Sequence, residues 1–509
     1  MTAAQEIGGF VPDFLALAGT QPDRLFARFA GEPVSFNWLM QASGAIARRL
    51  RRRGVQRHDR VAVMQQNSRA ALATLYALAR AGIAWVPVNA QLRGEGLRYI
   101  LEHCQPALVI ADIDLLPLVA ACGAVLPCEC VASDDGGTEC WLADNTAFDE
   151  PPPAPDDPFA VMYTSGTTGP PKGAIVSHRM IRLAGESACR VSAARDGDVF
   201  YMWEPLYHIG GAQLLVPPLL RQVTLAMVPR FSASRLWAEV REVGATHIHF
   251  LGGILQILLK QAPGLQDRAH GVRIAWGGGC PAHVWRPFEA RFGMQIRECY
   301  GMTEASSITT WNDNGVVGAV GRPVPWFDVA LLDGAGRPVR QGERGEIVVR
   351  SLVQGALFPG YFRNPEATAK VLRDGALHTG DVGSLDAEGN LIFHGRLSDS
   401  VRCRGENVSA WEVEHVVAGH PDVEDSAMIG VAADIGEQDI KLFVQPKPGQ
   451  GIDIAGLSAW LSQRLAPYQN PRYIAVVAAF ERTPSLRIMK HKLPRASEGC
   501  WDRQTQRNS

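Results

Sequence analysis

The 509-residue chain reads as an α/β protein, with a large multi-sheet N-terminal domain and a small α+β C-terminal one. Three observations predict this. Apolar runs of strand length alternate with helical patterns through the first 150 residues. The same alternation resumes after a proline-rich connection at 151–158 and continues to about 258. Beyond Tyr300 the pattern changes to short strands around turns. Alternating strands and helices bury their faces most readily as βαβ units around a parallel sheet.

Taken in order, Arg60-Val-Ala-Val-Met-Gln predicts a strand, 70–81 a helix, and 84–88 and 107–111 two further strands. The basic run at 48–53 fits a solvated helix C-terminus, which the helix dipole favours. Pro151-Pro-Pro-Ala-Pro-Asp-Asp-Pro158 excludes helix and central strand, because proline lacks the backbone donor both need. A strand follows at 159–162. Asp333-Gly334 is a hairpin signal between two apolar runs, and 386–390 carries a second turn. Past Gly395 come strands at 427–431 and 441–445, a helix at 454–465 and a strand at 473–477. That is enough for a separate domain of roughly 100 residues, dividing the chain into 1–395 and 396–509. The polar end at 498–509 reads as frayed.

Composition narrows the function classes. Apolar residues make up 46% and charged residues 20%, which is normal for a globular protein and excludes disorder. The net charge of −2 argues against binding a nucleic-acid backbone. No apolar run long enough for a membrane span and no signal peptide appear. Ten scattered cysteines do not make a disulfide framework and fit a reducing cytoplasm. Only seven of the 50 basic residues are lysines, so each lysine kept carries information.

The strongest local signal is Tyr163-Thr-Ser-Gly-Thr-Thr-Gly-Pro-Pro-Lys-Gly173, directly after a strand. Glycines let backbone approach an anion, while consecutive N–H groups and hydroxyls donate to phosphate oxygens. Thr164, Ser165, Gly166, Thr167, Thr168, Gly169 and Lys172 are therefore candidate phosphate ligands. The spacing is not that of a Walker A loop.

This segment resembles the signature loop of adenylate-forming enzymes: acyl-CoA synthetases, peptide-synthetase adenylation domains and luciferases. Gly277-Gly-Gly-Cys-Pro281, Tyr300-Gly-Met-Thr-Glu304, His378-Thr-Gly-Asp-Val382 and Gly395-Arg-Leu-Ser-Asp399 are similar to further motifs of that family, in the same order. The resemblance spans about 10–495 and is greatest to acyl-CoA ligases, with parts of the chain similar to the crotonobetaine/carnitine type. It implies the adenylate-forming fold, with a mobile C-terminal domain. It also implies ATP, Mg²⁺ and coenzyme A, with a small carboxylic acid as substrate. A homodimer is compatible with it.

The resemblance assigns roles residue by residue. Gly277, Gly278 and Gly279 would lie beside the adenine, with Tyr300, Gly301 and Met302. Thr303 would bond the α-phosphate, Glu304 would hold the metal, Asp381 the ribose hydroxyls, and Arg396 the ribose and phosphates. Trp203, His208, Gly211, Phe250, Gly252 and Trp276 would line the acyl pocket. Asp399 would be the hinge, and Arg402, Arg404, Gly405 and Glu406 would meet coenzyme A. One position departs. The family's C-terminal catalytic lysine falls on Arg487, with Lys490 and Lys492 three and five residues further on. A planar guanidinium does not simply replace an ammonium. Three outcomes stand open: Arg487 works at some cost in rate, Lys490 reaches in, or adenylation is crippled. We expect the first. A carrier-protein-loading enzyme, light-emitting oxidation and a nucleotide-binding protein without catalysis are competing readings.

Overall fold

The computed structural model describes residues 7–126, 128–132, 147–164, 171–397, 400–403, 406–433, 438–465, 467–483 and 487–505. The N-terminal region is built on three sheets. A nine-stranded sheet contains parallel neighbours Val199–Met202, His247–Leu251, Ile274–Gly278 and Gln295–Tyr300. A six-stranded sheet runs from Cys130–Ala132 through Arg60–Met64 to Lys172–Ser177. A five-stranded sheet gathers Phe327–Leu332, Gly345–Ser351, Leu372–Arg373, Ala376–Leu385 and Leu391–Arg396.

The parallel strands are apolar and buried along their length, as Val61, Ala62, Val63 and Met64 illustrate. Helices covering both faces leave no polar side to a strand. Their starts are set by serine caps. Ser35, Ser68 and Ser177 accept from Trp38, Ala71 and Met180 backbone N–H groups at 3.1, 2.9 and 3.2 Å. Each cap satisfies a donor that the helix itself leaves free.

The smaller C-terminal domain has a two-stranded ribbon, Ser400–Cys403 with Glu406–Ser409. Beside it a four-stranded sheet has the order Val423–Ala432, Gln438–Pro446, Tyr473–Val476, Trp501–Asp502. Its own core packs Val401, Val413, Leu442, Leu461 and Ile474. Against the larger domain, Trp411 meets His394 with ring centres 5.9 Å apart, His415 lies 6.1 Å from His283, and Glu424 pairs with Lys260.

Asp333-Gly334 opens the connection from 333 to 344 between the antiparallel strands Phe327–Leu332 and Gly345–Ser351, the hairpin its signal implied, and there Asp333 Oδ1 accepts from the Ala335 and Arg337 N–H groups. Two sequence expectations need correction. The basic run at 48–53 is not simply solvated, because Arg51 pairs with Glu150 at 2.8 Å and donates to the Val55 and Ala81 carbonyls. The terminal segment is not all frayed: Trp501–Asp502 closes the edge of the C-terminal sheet on Tyr473 and Ile474. A tryptophan there buries area that composition alone did not suggest.

Candidate active site

Ligands in open α/β sheets bind beyond the carboxyl ends of the strands, and there the predicted residues meet. Strand Pro158–Thr164 pairs antiparallel with Lys172–Ser177, placing Thr164 opposite Lys172. Ser165, Gly166, Thr167, Thr168 and Gly169 lie outside the described residues. Lys172 Nζ stands 5.4 Å from the Tyr361 ring centre, and the Tyr361 hydroxyl donates to Glu304 Oε1 at 2.7 Å. Burial and the Glu304 charge push that hydroxyl's pKa up, so it stays a donor.

Strand Gln295–Tyr300 delivers Tyr300, after which Gly301 and Met302 lead into a single 3₁₀ turn, Thr303–Ala305. Ser306 and Ser307 then adopt left-handed φ of 48° and 69°, which turns the chain back so that Thr309 N–H donates to the Tyr300 carbonyl at 2.8 Å. Thr303 and Glu304 end buried. The Tyr300 hydroxyl donates to Asp381 Oδ2 at 2.7 Å. Asp381 and Arg396 face each other across neighbouring strands, with Arg396 Nε 3.1 Å from Oδ1. Burial raises the Asp381 carboxyl, while Arg396, Tyr300 and Arg487 counter it. Among the described residues Asp381 Oδ1 accepts no hydrogen bond, leaving it able to accept one from a ligand hydroxyl.

Gly277 lies beside Phe250 in the parallel pair, where an added Cβ would sit 1.8 Å from the Phe250 carbonyl oxygen. No larger residue fits. Gly278 ends that strand, and the Gly279 and Cys280 N–H groups donate to Glu298 Oε1 at 2.9 and 2.8 Å. Burial raises the Glu298 carboxyl to about 8, against those two bonds. Sequence reasoning missed Glu298. Its signal was a carboxylate two residues before Tyr300, hence on the same face of one strand.

On the acyl side, His208 precedes the short helix Ile209–Ala212, and Gly211 is buried within it. Its pKa is lowered by burial, raised by the charge of Glu204 and lowered again by that of Arg487. Trp203 Nε1 donates to the His249 carbonyl at 2.8 Å, and the His249 ring lies 4.3 Å from Trp276. Phe250 is packed in a core cluster with Trp203, and Gly252 turns the chain with a φ of 51°. Glu204, which the sequence reading passed over, is 1% exposed, with His249 Nδ1 2.8 Å from its Oε2.

The C-terminal domain contributes Arg487. Its N–H donates to Thr483 Oγ1 at 3.1 Å, and its carbonyl accepts from the Thr483 N–H at 2.7 Å. Its positive charge lowers the pKa of His208 and of Asp381. Lys490 is engaged with Glu414 at 2.8 Å, and Lys492 with Glu481. Asp399, Arg404 and Gly405 lie outside the described residues; Arg402 and Glu406 belong to the two-stranded ribbon. No group of three or more metal-ligating His, Cys, Asp or Glu occurs among the described residues. The nine described cysteines form no disulfide with one another, and no helix among the described residues is long and apolar enough to cross a membrane.

Residues 14–362 match the model of the AMP-binding enzyme family, and 412–486 that of the AMP-binding enzyme C-terminal domain. A crotonobetaine/carnitine–CoA ligase of Salmonella arizonae is 29% identical, over 94% of this chain and 97% of its own length. ATP-bound MatB from Rhodopseudomonas palustris superposes with a TM-score of 0.85 at 29% identity, over 94% of this chain and 97% of that one. A benzoate CoA ligase from Burkholderia xenovorans gives a TM-score of 0.86 at 25% identity, over 96% of this chain and all of that one. With the motifs in order, the Tyr300–Asp381–Arg396 cluster built and both family models matched, the chain belongs to the AMP-binding enzyme family.

Proposed function

We propose that this chain is an ATP-dependent acid–CoA ligase, which activates a small carboxylic acid as its adenylate and then transfers the acyl group to coenzyme A. One observation carries the reading. Tyr300, just ahead of the buried Thr303 and Glu304, donates to Asp381, which Arg396 flanks, so a ribose-accepting carboxylate stands against the same chain turn as the phosphate residues. In the first half-reaction a carboxylate oxygen attacks the α-phosphorus, the bond to the β-phosphate oxygen breaks, and pyrophosphate leaves. Two anions meet there, so donors and cations must be in place where charge builds up. Lys172 and the Gly/Ser/Thr loop receive the β- and γ-phosphates, Thr303 the α-phosphate, and Arg487 the attacking carboxylate. Asp381 accepts ribose hydroxyls, held by Tyr300 and Arg396. Glu298 fixes the glycine strand end on which the adenine lies.

Glu304 suits Mg²⁺: Tyr361 engages one carboxylate oxygen, and the other takes no hydrogen bond among the described residues. A bound Mg²⁺ would neutralise phosphate charge. In the second half-reaction the thiol sulfur attacks the acyl carbon and AMP leaves. We propose a domain division near Gly395 and a swing about Asp399, which replaces Arg487 with the ribbon of Arg402 to Glu406. CoA-dependent AMP formation over a panel of acids tests the ligase reading; its absence with every acid would remove it. Asp399→Pro should spare one half-reaction and block the other, and equal loss of both argues against the swing.

A further inference from the structure

Away from the nucleotide and acyl sides, the nine-stranded sheet has a second opening. A cavity of about 680 Å³ lies where strands Ile274–Gly278 and Gln295–Tyr300 begin, lined also by Ala193, Arg195 and two residues of the helix Ala282–Phe292. That volume is within the range of small-molecule sites. The carboxyl ends of the same two strands carry Gly277, Gly278 and Tyr300. About 17 Å of extended chain separates Gln295 from Tyr300, and the cavity shares no residue with the site described above.

Four arginines line it: Arg195, Arg273, Arg286 and Arg297. Two of them are neutralised from within. Arg273 pairs with Asp198 at 2.5 Å and Arg286 with Glu289 at 2.7 Å. Those carboxylates have further donors, the Arg195 backbone N–H on Asp198 and the Trp285 indole and Ile296 N–H on Glu289. Arg195 and Arg297 differ: neither side chain makes an ion pair or a hydrogen bond among the described residues. Water can serve Arg195, which is exposed, but Arg297 is partly buried. Burial depresses the Arg297 pKa, Asp313 counters that through its charge, and the charges of Arg273 and Arg195 depress it further. Two guanidinium forks thus face one cavity without an acceptor from the chain.

A phosphate monoester matches this pair. It is close to a dianion at neutral pH and offers three strong acceptor oxygens, which guanidinium forks bind in bidentate fashion. Val272 and Met294 add apolar wall for an organic body. We infer that this cavity is a binding site, distinct from the reaction site, for a small organic phosphate monoester, with Arg195 and Arg297 engaging the phosphate.

Titration calorimetry on the full chain tests this with three probes. Phenyl phosphate is the ligand, phenyl sulfate has nearly the same shape with a single charge, and glutarate is a dicarboxylate dianion. Wild type should bind phenyl phosphate at least several-fold more tightly than phenyl sulfate, because the second charge is matched. Arg297→Gln and Arg195→Gln should each weaken phenyl phosphate roughly tenfold, the effect of one lost charge-assisted hydrogen bond. Lys172→Ala, at the phosphate loop, should leave that binding unchanged. Unchanged binding in either arginine variant, a loss confined to Lys172→Ala, or equal binding of the sulfate overturns the inference. So does an arginine-dependent preference for glutarate, or no saturable binding of phenyl phosphate up to about 10 mM. If Arg297→Gln melts well below the wild type, Arg195→Gln, whose side chain is exposed, decides together with the sulfate comparison.

Discussion

The nucleotide side and the acyl side of the cleft are built on opposite plans. Around Asp381 and Glu298 each buried carboxylate has at least one oxygen held by a donor from within the protein, with Asp381 Oδ1 left to a ligand. Around Glu204 and His208 buried polar atoms stand without partners: Glu204 Oε1 and His208 Nε2 accept or donate nothing among the described residues. The first region serves the nucleotide, and most of its contacts are built within the protein. The second serves an acid that differs from one relative to the next, and it leaves the last contact to the substrate.

Substitutions that break this contrast should rank by how directly they touch the phosphates. Glu304→Gln should lower the adenylation rate on the order of 10³-fold, read as single-turnover pyrophosphate release; a loss below tenfold would remove Glu304 from the phosphate chemistry. Asp381→Ala should raise the KM for ATP roughly a hundredfold, since charge-assisted hydrogen bonds are worth about 1.5–3 kcal/mol each. An unchanged KM would place the ribose elsewhere. Arg487→Lys should speed adenylation a few-fold, because a compact ammonium suits two crowded anions better than a planar fork. Pyrophosphate release no faster than wild type sinks that expectation.

The smallest effect concerns Glu298 and its pH dependence. Burial pushes its carboxyl in the folded protein up to about 8, from an ordinary value of 4.5. Between those values the folded state holds the proton that the unfolded state has lost. Stability therefore falls as pH rises from 4.5 toward 8, by linkage. Glu298→Gln removes that slope. Wild type and variant should differ least in melting temperature near pH 5, and the variant should gain on wild type toward pH 8. Parallel curves would show that Glu298 ionises normally.

What the sequence made legible follows the same contrast. The strand and helix alternation, and motifs such as Tyr300-Gly-Met-Thr-Glu304, were readable because backbone geometry and phosphate chemistry demand particular residues at fixed spacing. Asp381 and Arg396 lie fifteen residues apart in sequence, yet their direct pairing across neighbouring strands depends on the register shift after Asp381, which no local pattern announces. Glu204 and His249 were invisible for another reason. Glu204 follows one strand and His249 lies on another, and a lone Glu before a Pro-Leu-Tyr-His turn carries no periodic signal. Trp501 misled in the opposite sense: a polar neighbourhood suggested fraying, while one indole and two strand residues are enough to close a sheet edge.

That closing strand has a consequence for handling the protein. With Trp501–Asp502 in place, the sheet ends on a paired stretch of only two residues, too short to template another chain. Clipping the chain at 498 would bare the Tyr473–Val476 edge, where Val476 is already 46% exposed. Such a shortened protein should keep its nucleotide cluster, which lies in the other domain, and lose colloidal stability instead. Its fault would appear as association on storage rather than as a missing catalytic group.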